Sequence, residues 1–578
     1  MGEHLVFPSV CVLIALAIWN NYAWVARSGP FWIIGDPNLH LNWSMETMVR
    51  WAHPEGEIFL PMIYAPLVHY ITGLTFHLVG CSFNVALGIQ SVFLALLLLG
   101  TYFVGRHLAT PAAGLLATLI LATTPIIQYH GKTFYLDLPL AAMVILCLAL
   151  YQQTINFRRI SWSLLLGLAC FLTYLVKYQA LIFLFPLLAF ATVKVLRATL
   201  PFSGLSFHVF TGWLAALGGL AVSGFLTLFI LGFKWEEVRQ IFLPVALAMV
   251  VLPGLVLVGT PPSSRARQVV IMTWSLYLFL ALQMVYSFRV CGFIRQMFQM
   301  QPDRVPLGGG AGKIDFLLFN LKCWEWLVGT GFTPLLVASL VWALWVRAAR
   351  RRFGLLLVII GFVVAAHCFV PITKPRFLLA LAPLYAVILS SWILSVPWRR
   401  VRYALIAMIS LYSLHSGAGW LLPWDPMRAL LPAREPLMVE DQPSIDINAS
   451  KMDSNAIFSP WAVPPMKPWK PGWRPLRMFE EIRRHEGTGH DAVIRVLSIS
   501  SPSHKFSEAN YGTLLRLNGI KGFHVHFARD PGSVTWRDWD YVVGHGREPP
   551  RTLFKHFMTL KAEDVQRVDL FINRRREL

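Results

Sequence analysis

Charged side chains are scarce in this chain: they make up 14% of 578 residues, against 56% that are hydrophobic. A soluble domain carries roughly a quarter charged residues. The shortfall argues against a string of soluble domains and for lipid as the main solvent. Acids are scarcer still, with 30 Asp and Glu against 50 Lys and Arg, for a net charge of +20. A basic balance can mark a nucleic-acid binder. Here 14 of the Arg and Lys sit in short, acid-free loops between apolar runs, which argues against nucleic acid as a partner and for charge that sets membrane orientation. Cysteine is sparse too: the seven present form no Cys-x-x-Cys pair and no metal-ligand spacing, so a zinc ribbon or a redox motif is excluded. Cys291 and Cys323 stay open as one candidate disulfide. The N-terminal apolar run, residues 5–24, lacks a basic flank and a small-x-small cleavage site, so it reads as a retained first span. There is no internal repeat and no inverted symmetry of the kind transporters show.

Long apolar runs are what the chain does have. Reading them gives about thirteen candidate spans of bilayer length. They lie near residues 5–25, 84–104, 111–127, 138–153, 162–177, 179–196, 210–231, 241–259, 269–288, 328–346, 354–371, 377–395 and 403–422. Every second loop then carries Arg or Lys and no acid: Arg106; Arg158 and Arg159; Lys194 and Arg197; Arg265 and Arg267; Arg347 and Arg350 to Arg352; Arg399, Arg400 and Arg402. Basic loops stay cytoplasmic. The N-terminus is therefore expected inside and the C-terminus outside, as in a bacterial inner membrane with a periplasmic tail.

The expected architecture is a polytopic α-helical membrane domain, 1–422, followed by a soluble non-cytoplasmic α/β domain, 423–578. The first outer loop, 27–83, holds two helical patterns. One places Trp43, Met48 and Trp51 at helical spacing. The other puts Leu67, Ile71, Leu74 and Leu78 on one stripe with His69 and His77 on other faces, as in helices lying in the interface. In the tail, strand-like runs lie at 492–499, 522–528, 539–543 and 568–572, with helical runs at 478–485 and 507–517.

Five charged residues fall at the outer ends of the spans: Asp36, Asp137, Lys177, Lys374 and Arg376. Ionisable groups near a bilayer are costly and tend to be functional. Each has a bland alternative. Asp137 before Leu138-Pro139 could cap a helix, Asp36 before Pro37 could form a turn, and Lys177 could snorkel to the headgroups. Two acids and three cations at one level of the bilayer make a functional cluster the stronger reading.

The same segments carry a resemblance. Asp36, Tyr64-Ala65-Pro66-Leu67, Tyr135-Leu136-Asp137-Leu138-Pro139-Leu140-Ala141-Ala142, Lys177-Tyr178, and Lys374-Pro375-Arg376-Phe377 with Pro383 resemble the polyprenyl-phosphate-sugar-dependent glycosyltransferases of the GT-C fold. Protein O-mannosyltransferases and lipid A aminoarabinose transferases are the nearest types. Pro37 stands where that family commonly has Glu, so the role of that Glu is missing or passes to Glu46 or Glu57.

The resemblance implies an inverting displacement at the anomeric carbon of a polyprenyl-phosphate sugar donor. The acceptor would be a lipid, glycan or protein hydroxyl on the non-cytoplasmic face. It makes Asp36 the base, with Asp137 orienting the sugar or acceptor or helping to hold a cation. Lys177, Lys374 and Arg376 become the donor phosphate clamp, and His40, Tyr64 and His69 become acceptor or sugar contacts. Two acids could share a divalent metal, but no third acidic ligand is evident, so no metal is assigned. The rivals are a multi-span transporter or lipid flippase without glycosyl transfer, and a membrane scaffold.

Overall fold

The computed structural model describes residues 3–28, 36–52, 65–199, 235–260, 265–300, 333–367 and 375–421. In the tail it describes 482–484, 494–499, 523–528, 541–545, 554–562 and 565–573. The expected span 210–231, Tyr64, Lys374, Glu57, Cys323 and the helical run 507–517 lie outside the described residues.

Apolar runs become helices wherever they are described. They are α1 (Glu3–Ser28), α2 (Asp36–Ala52), α3 (Leu67–Val79), α4 (Phe83–Leu108), α5 (Pro111–Thr123), α6 (Pro125–Lys132), α7 (Asp137–Gln153), α8 (Ile160–Val176) and α9 (Ala180–Thr199). Then come α10 (Trp235–Val258), α11 (Arg265–Met300), α12 (Thr333–Trp345), α13 (Arg347–His367), a 3-10 turn (Pro375–Leu381), α14 (Ala382–Ser395) and α15 (Arg399–Leu421). Among the described residues, Leu5–Ala23, Phe83–Leu108 and Arg376–Ser395 are long and apolar enough to cross a membrane. Other apolar helical stretches, among them Asp137–Gln153, Ile160–Val176, Ala180–Val195 and Ala246–Val258, are 10–17 residues long.

The expected span 111–127 is broken. Thr124 is extended (φ −65°, ψ 125°) and Pro125 opens a second helix, turned by 67° from the first. Proline disfavours helical backbone in the residue before it and suits the first turn of a new helix. The bend brings His130 and Lys132 of α6, both buried, into the bundle.

Helix α7 is buried on nearly every side, as is α14. A helix apolar all round belongs in the middle of a bundle. Helix α4 packs on α5 and α7, α7 on α8, α8 on α11, and α14 on α5 and α12. The α8–α11 crossing is close because Gly167 faces the Ser275 carbonyl, and the Ser275 hydroxyl donates to the Ser163 carbonyl at 2.5 Å.

Helices α2 and α3 form a pair. They touch so closely that a Cβ on Gly73 would lie 2.7 Å from the Ser44 carbonyl oxygen. The face that α3 buries is Val68, His69, Thr72, Gly73 and Phe76. Ile71, Leu74 and Leu78 of the apolar stripe are exposed.

The described strands of the tail form one five-stranded sheet of order β2-β1-β3-β5-β4. These are β1 (Ile494–Ile499), β2 (Phe523–Ala528), β3 (Tyr541–His545), β4 (Phe554–Ala562) and β5 (Val565–Asn573). Strand β1 is parallel to β2 and β3, with Val496 opposite Val525 and Tyr541. Strand β5 is antiparallel to β3 and β4. Parallel neighbours cannot be joined by a tight turn, which accounts for the long stretches of chain between β1, β2 and β3.

Candidate functional site

Helix α7 begins at Asp137 itself, with Leu136 in the capping position and no side-chain cap. The carboxylate is therefore not the cap of its own helix. It reaches across to Lys177, at the end of α8, and Lys177 Nζ donates to Asp137 Oδ1 at 2.5 Å. Asp137 is 3% exposed and Lys177 13%, so the pair is withdrawn from solvent. Two charges are held there only by mutual attraction and hydrogen bonding, because taking each from water costs several kcal/mol.

Arg376, on the 3-10 turn, joins this pair. Its guanidinium lies 4.9 Å from the Tyr135 ring centroid and 5.5 Å from that of Phe377. Lys177 Nζ lies 4.9 Å from the Phe377 centroid. Asp137 feels Lys177, Arg376 and His130 electrostatically. One carboxylate and two cations leave the trio net positive, with aromatic faces steadying both cations. That composition suits an anion, and Arg offers a fork where Lys offers a point charge.

Neighbouring elements hold the trio in place. Gln90 of α4 donates to the Tyr135 carbonyl at 2.8 Å. Asn21 of α1 donates to the Gly131 carbonyl at 3.1 Å, and the His130 ring meets Tyr135 edge-on at 5.1 Å.

Helices α2 and α3 contribute two buried histidines. His40 Nδ1 and His69 Nε2 are 3.1 Å apart, so one donates and the other accepts. Trp43 packs on both rings. Burial, then electrostatic repulsion from the neighbouring His69 ring and the Lys177 and Arg376 cations, push the His40 pKa well below its usual 6.5. Burial takes His69 down to about 3. Both imidazoles are neutral at pH 7.

The sequence-derived residues thus divide. Asp137, Lys177 and Arg376 come together, and His40 lies within the field of the two cations. Asp36 opens α2 one turn before His40; its side chain is outside the described residues, as are Tyr64 and Lys374 altogether. Glu46 is exposed. Sequence reasoning assigned no role to His130, Lys132, Gln179 and His367, nor to the aromatic partners Tyr135 and Phe377, which it quoted only within the resembling segments. Among the described residues no three His, Cys, Asp or Glu side chains gather as they would around a metal.

A family model described as dolichyl-phosphate-mannose-protein mannosyltransferase matches residues 63–222, the segment that contains His69, Asp137 and Lys177. No curated protein sequence matches the chain. Among solved structures, ArnT from Cupriavidus metallidurans, determined with undecaprenyl phosphate bound, is similar over 99% of this chain and 98% of its own, with a TM-score of 0.50 and 13% identity. The chain has the GT-C fold. The Archaeoglobus fulgidus oligosaccharyltransferase, tethered to an acceptor peptide, matches 94% of this chain and 69% of its own, with a TM-score of 0.45 and 12% identity. The long apolar helices of this GT-C chain make it an integral membrane protein.

The buried pair gives a stability test. Lys177→Met leaves Asp137 buried without its partner, at a cost of about 3–5 kcal/mol. Lys177→Met should melt well below the native chain in detergent, and adding Asp137→Asn should recover most of the loss. Equal melting of native and single variant would show that the pair contributes nothing.

The histidine pair gives a pH test. The folded-state pKa values are depressed, so an unfolded chain takes up protons first as pH falls below the usual 6.5. Stability is complete above that value and is lost on the way down, by about 1.4 kcal/mol per histidine per pH unit. Melting at pH 5 should be lower than at pH 7.5, and the difference should shrink in His69→Gln. A difference unchanged by His69→Gln would contradict this account of the pair.

Proposed function

We propose that the protein is a membrane glycosyltransferase that moves a sugar from a polyprenyl-phosphate donor to a hydroxyl acceptor on the non-cytoplasmic face. The observation that carries this reading is the buried Asp137–Lys177 pair with Arg376 beside it. The match of residues 63–222 to a family that uses a lipid-phosphate sugar supports it. So does the GT-C fold shared with ArnT, whose structure holds undecaprenyl phosphate.

In this reading residues 1–422 are the catalytic membrane domain of about thirteen spans. Residues 423–578 are a non-cytoplasmic α/β domain built on the five-stranded sheet. The N-terminus is cytoplasmic.

The donor lipid lies in the bilayer with its phosphate at Lys177 and Arg376, assisted by Lys374. These cations stabilise negative charge as the glycosyl–oxygen bond breaks and polyprenyl phosphate leaves. Asp36 takes the proton of the acceptor hydroxyl as its oxygen attacks the anomeric carbon from the opposite side, which inverts the configuration. Asp36 stands one helical turn before His40, and His40 senses both cations, so α2 carries the base toward the phosphate. Asp137 keeps the Lys177 ammonium aimed and stands near enough to orient the sugar.

Purified full-length protein incubated with labelled polyprenyl-phosphate sugars should release polyprenyl phosphate with transfer of the sugar. Asp36→Asn should reduce transfer by about 10²–10⁴-fold. Native turnover by Asp36→Asn would remove Asp36 as the base. Uptake of the lipid-linked sugar into vesicles without cleavage would favour a transporter instead.

A further inference from the structure

The 3-10 turn that bears Arg376 is gripped from a second side, by groups to which the proposed chemistry assigns no part. Gln179 Nε2 donates to the Phe377 carbonyl at 3.2 Å and lies 2.9 Å from His367 Nε2. His367 Nδ1 lies 2.9 Å from the Val363 carbonyl. A carbonyl only accepts, so Nδ1 carries the ring proton and Nε2 is left as the acceptor of the Gln179 amide. Both N–H bonds of one amide are thereby used. They join the end of α13, the residues just before α9, and the backbone of the turn. His367 is buried, which holds this anchor away from competing water.

The ring of the same Phe377 serves both cations. Lys177 Nζ lies 4.9 Å and Arg376 Cζ 5.5 Å from its centroid. Two like charges repel, and a shared electron-rich face offsets part of that repulsion while setting where each can sit. The carbonyl of Phe377 is held by Gln179 and its ring faces the cations, so one residue couples the brace to the clamp.

We propose that Phe377 and Gln179 are positioning residues for a lipid-linked phosphate. Phe377 sets the placement of Lys177 and Arg376, and Gln179, anchored on His367, sets the placement of Phe377. This deepens the proposed function and rests on it. No covalent step is involved; the effect is on affinity for the anion.

The test measures binding of undecaprenyl phosphate to the full-length chain in detergent, for the native protein and for Phe377→Leu, Phe377→Tyr and Gln179→Leu. Phe377→Leu and Gln179→Leu should each weaken binding by about tenfold, while Phe377→Tyr, which keeps the aromatic face, should stay within about twofold of native. A purely structural role would not distinguish Tyr from Leu in this way. If Phe377→Leu fails to run as a monodisperse species, Gln179→Leu tests the same coupling from a different side chain. Native-like binding by both Leu variants overturns the inference and leaves the proposed function standing. Equal loss in Phe377→Tyr and Phe377→Leu also overturns it. Absence of binding by the native chain overturns the proposed function, and the inference falls with it.

Discussion

The ion pair between Asp137 and Lys177 is the constraint around which the rest of the site is arranged. A carboxylate this deeply buried is stable only with a partner, and the partner stands on a different helix. Forming the pair therefore fixes the start of α7 against the end of α8. Tyr135, two residues before Asp137, receives Gln90 on its carbonyl and the Arg376 guanidinium on its ring. One electrostatic contact thus ties α4, α7, α8 and the 3-10 turn into a single corner of the bundle. The pair gives little net stability, since desolvation consumes most of the attraction. What it provides is a fixed ammonium beside a guanidinium in a place water hardly reaches, where charge interacts strongly.

Against that corner the α2–α3 pair supplies the second half of the proposed site. Its inner face mixes polar and apolar side chains. His40, Ser44 and Thr47 on α2 and His69 and Thr72 on α3 are buried, while the apolar stripe of α3 points outward. Beside lipid an apolar stripe can stay outward at little cost, because the surroundings are as apolar as a core. Polar side chains turn inward beside Leu41, Met45, Val68 and Phe76, where His40 bonds His69 and the Ser44 and Thr47 hydroxyls bond the carbonyls of their own helix. Neutral imidazoles suit this place, since a charged histidine would stand beside Lys177 and Arg376.

Much of this was legible in the sequence. Helices were visible as apolar runs, and α2 and α3 as helical spacing within the first loop. Asp137, Lys177 and Arg376 stood out because ionisable residues are rare beside such runs. The break at Pro125 was signalled by Thr123-Thr124-Pro125, a start signal submerged in apolar residues on both sides. Which face of α3 is buried was not legible, because a stripe of leucines reads the same whether it meets a core or lipid. Strand β4 was missed for a local reason: bulges between His556 and Met558 and between Leu560 and Ala562 break the alternation that marks a strand. The link from Gln179 to His367 spans 188 positions, and nothing in either residue's neighbourhood announces the other.

The central claim is that the Lys177–Arg376 corner receives a lipid-linked phosphate. An experimental structure with a non-hydrolysable polyprenyl-phosphate sugar bound tests it most directly. The account predicts the phosphate within hydrogen-bond reach of both Lys177 Nζ and the Arg376 guanidinium, with the anomeric carbon on the side of α2. A phosphate seated elsewhere, with Lys177 and Arg376 contacting only protein, would contradict it.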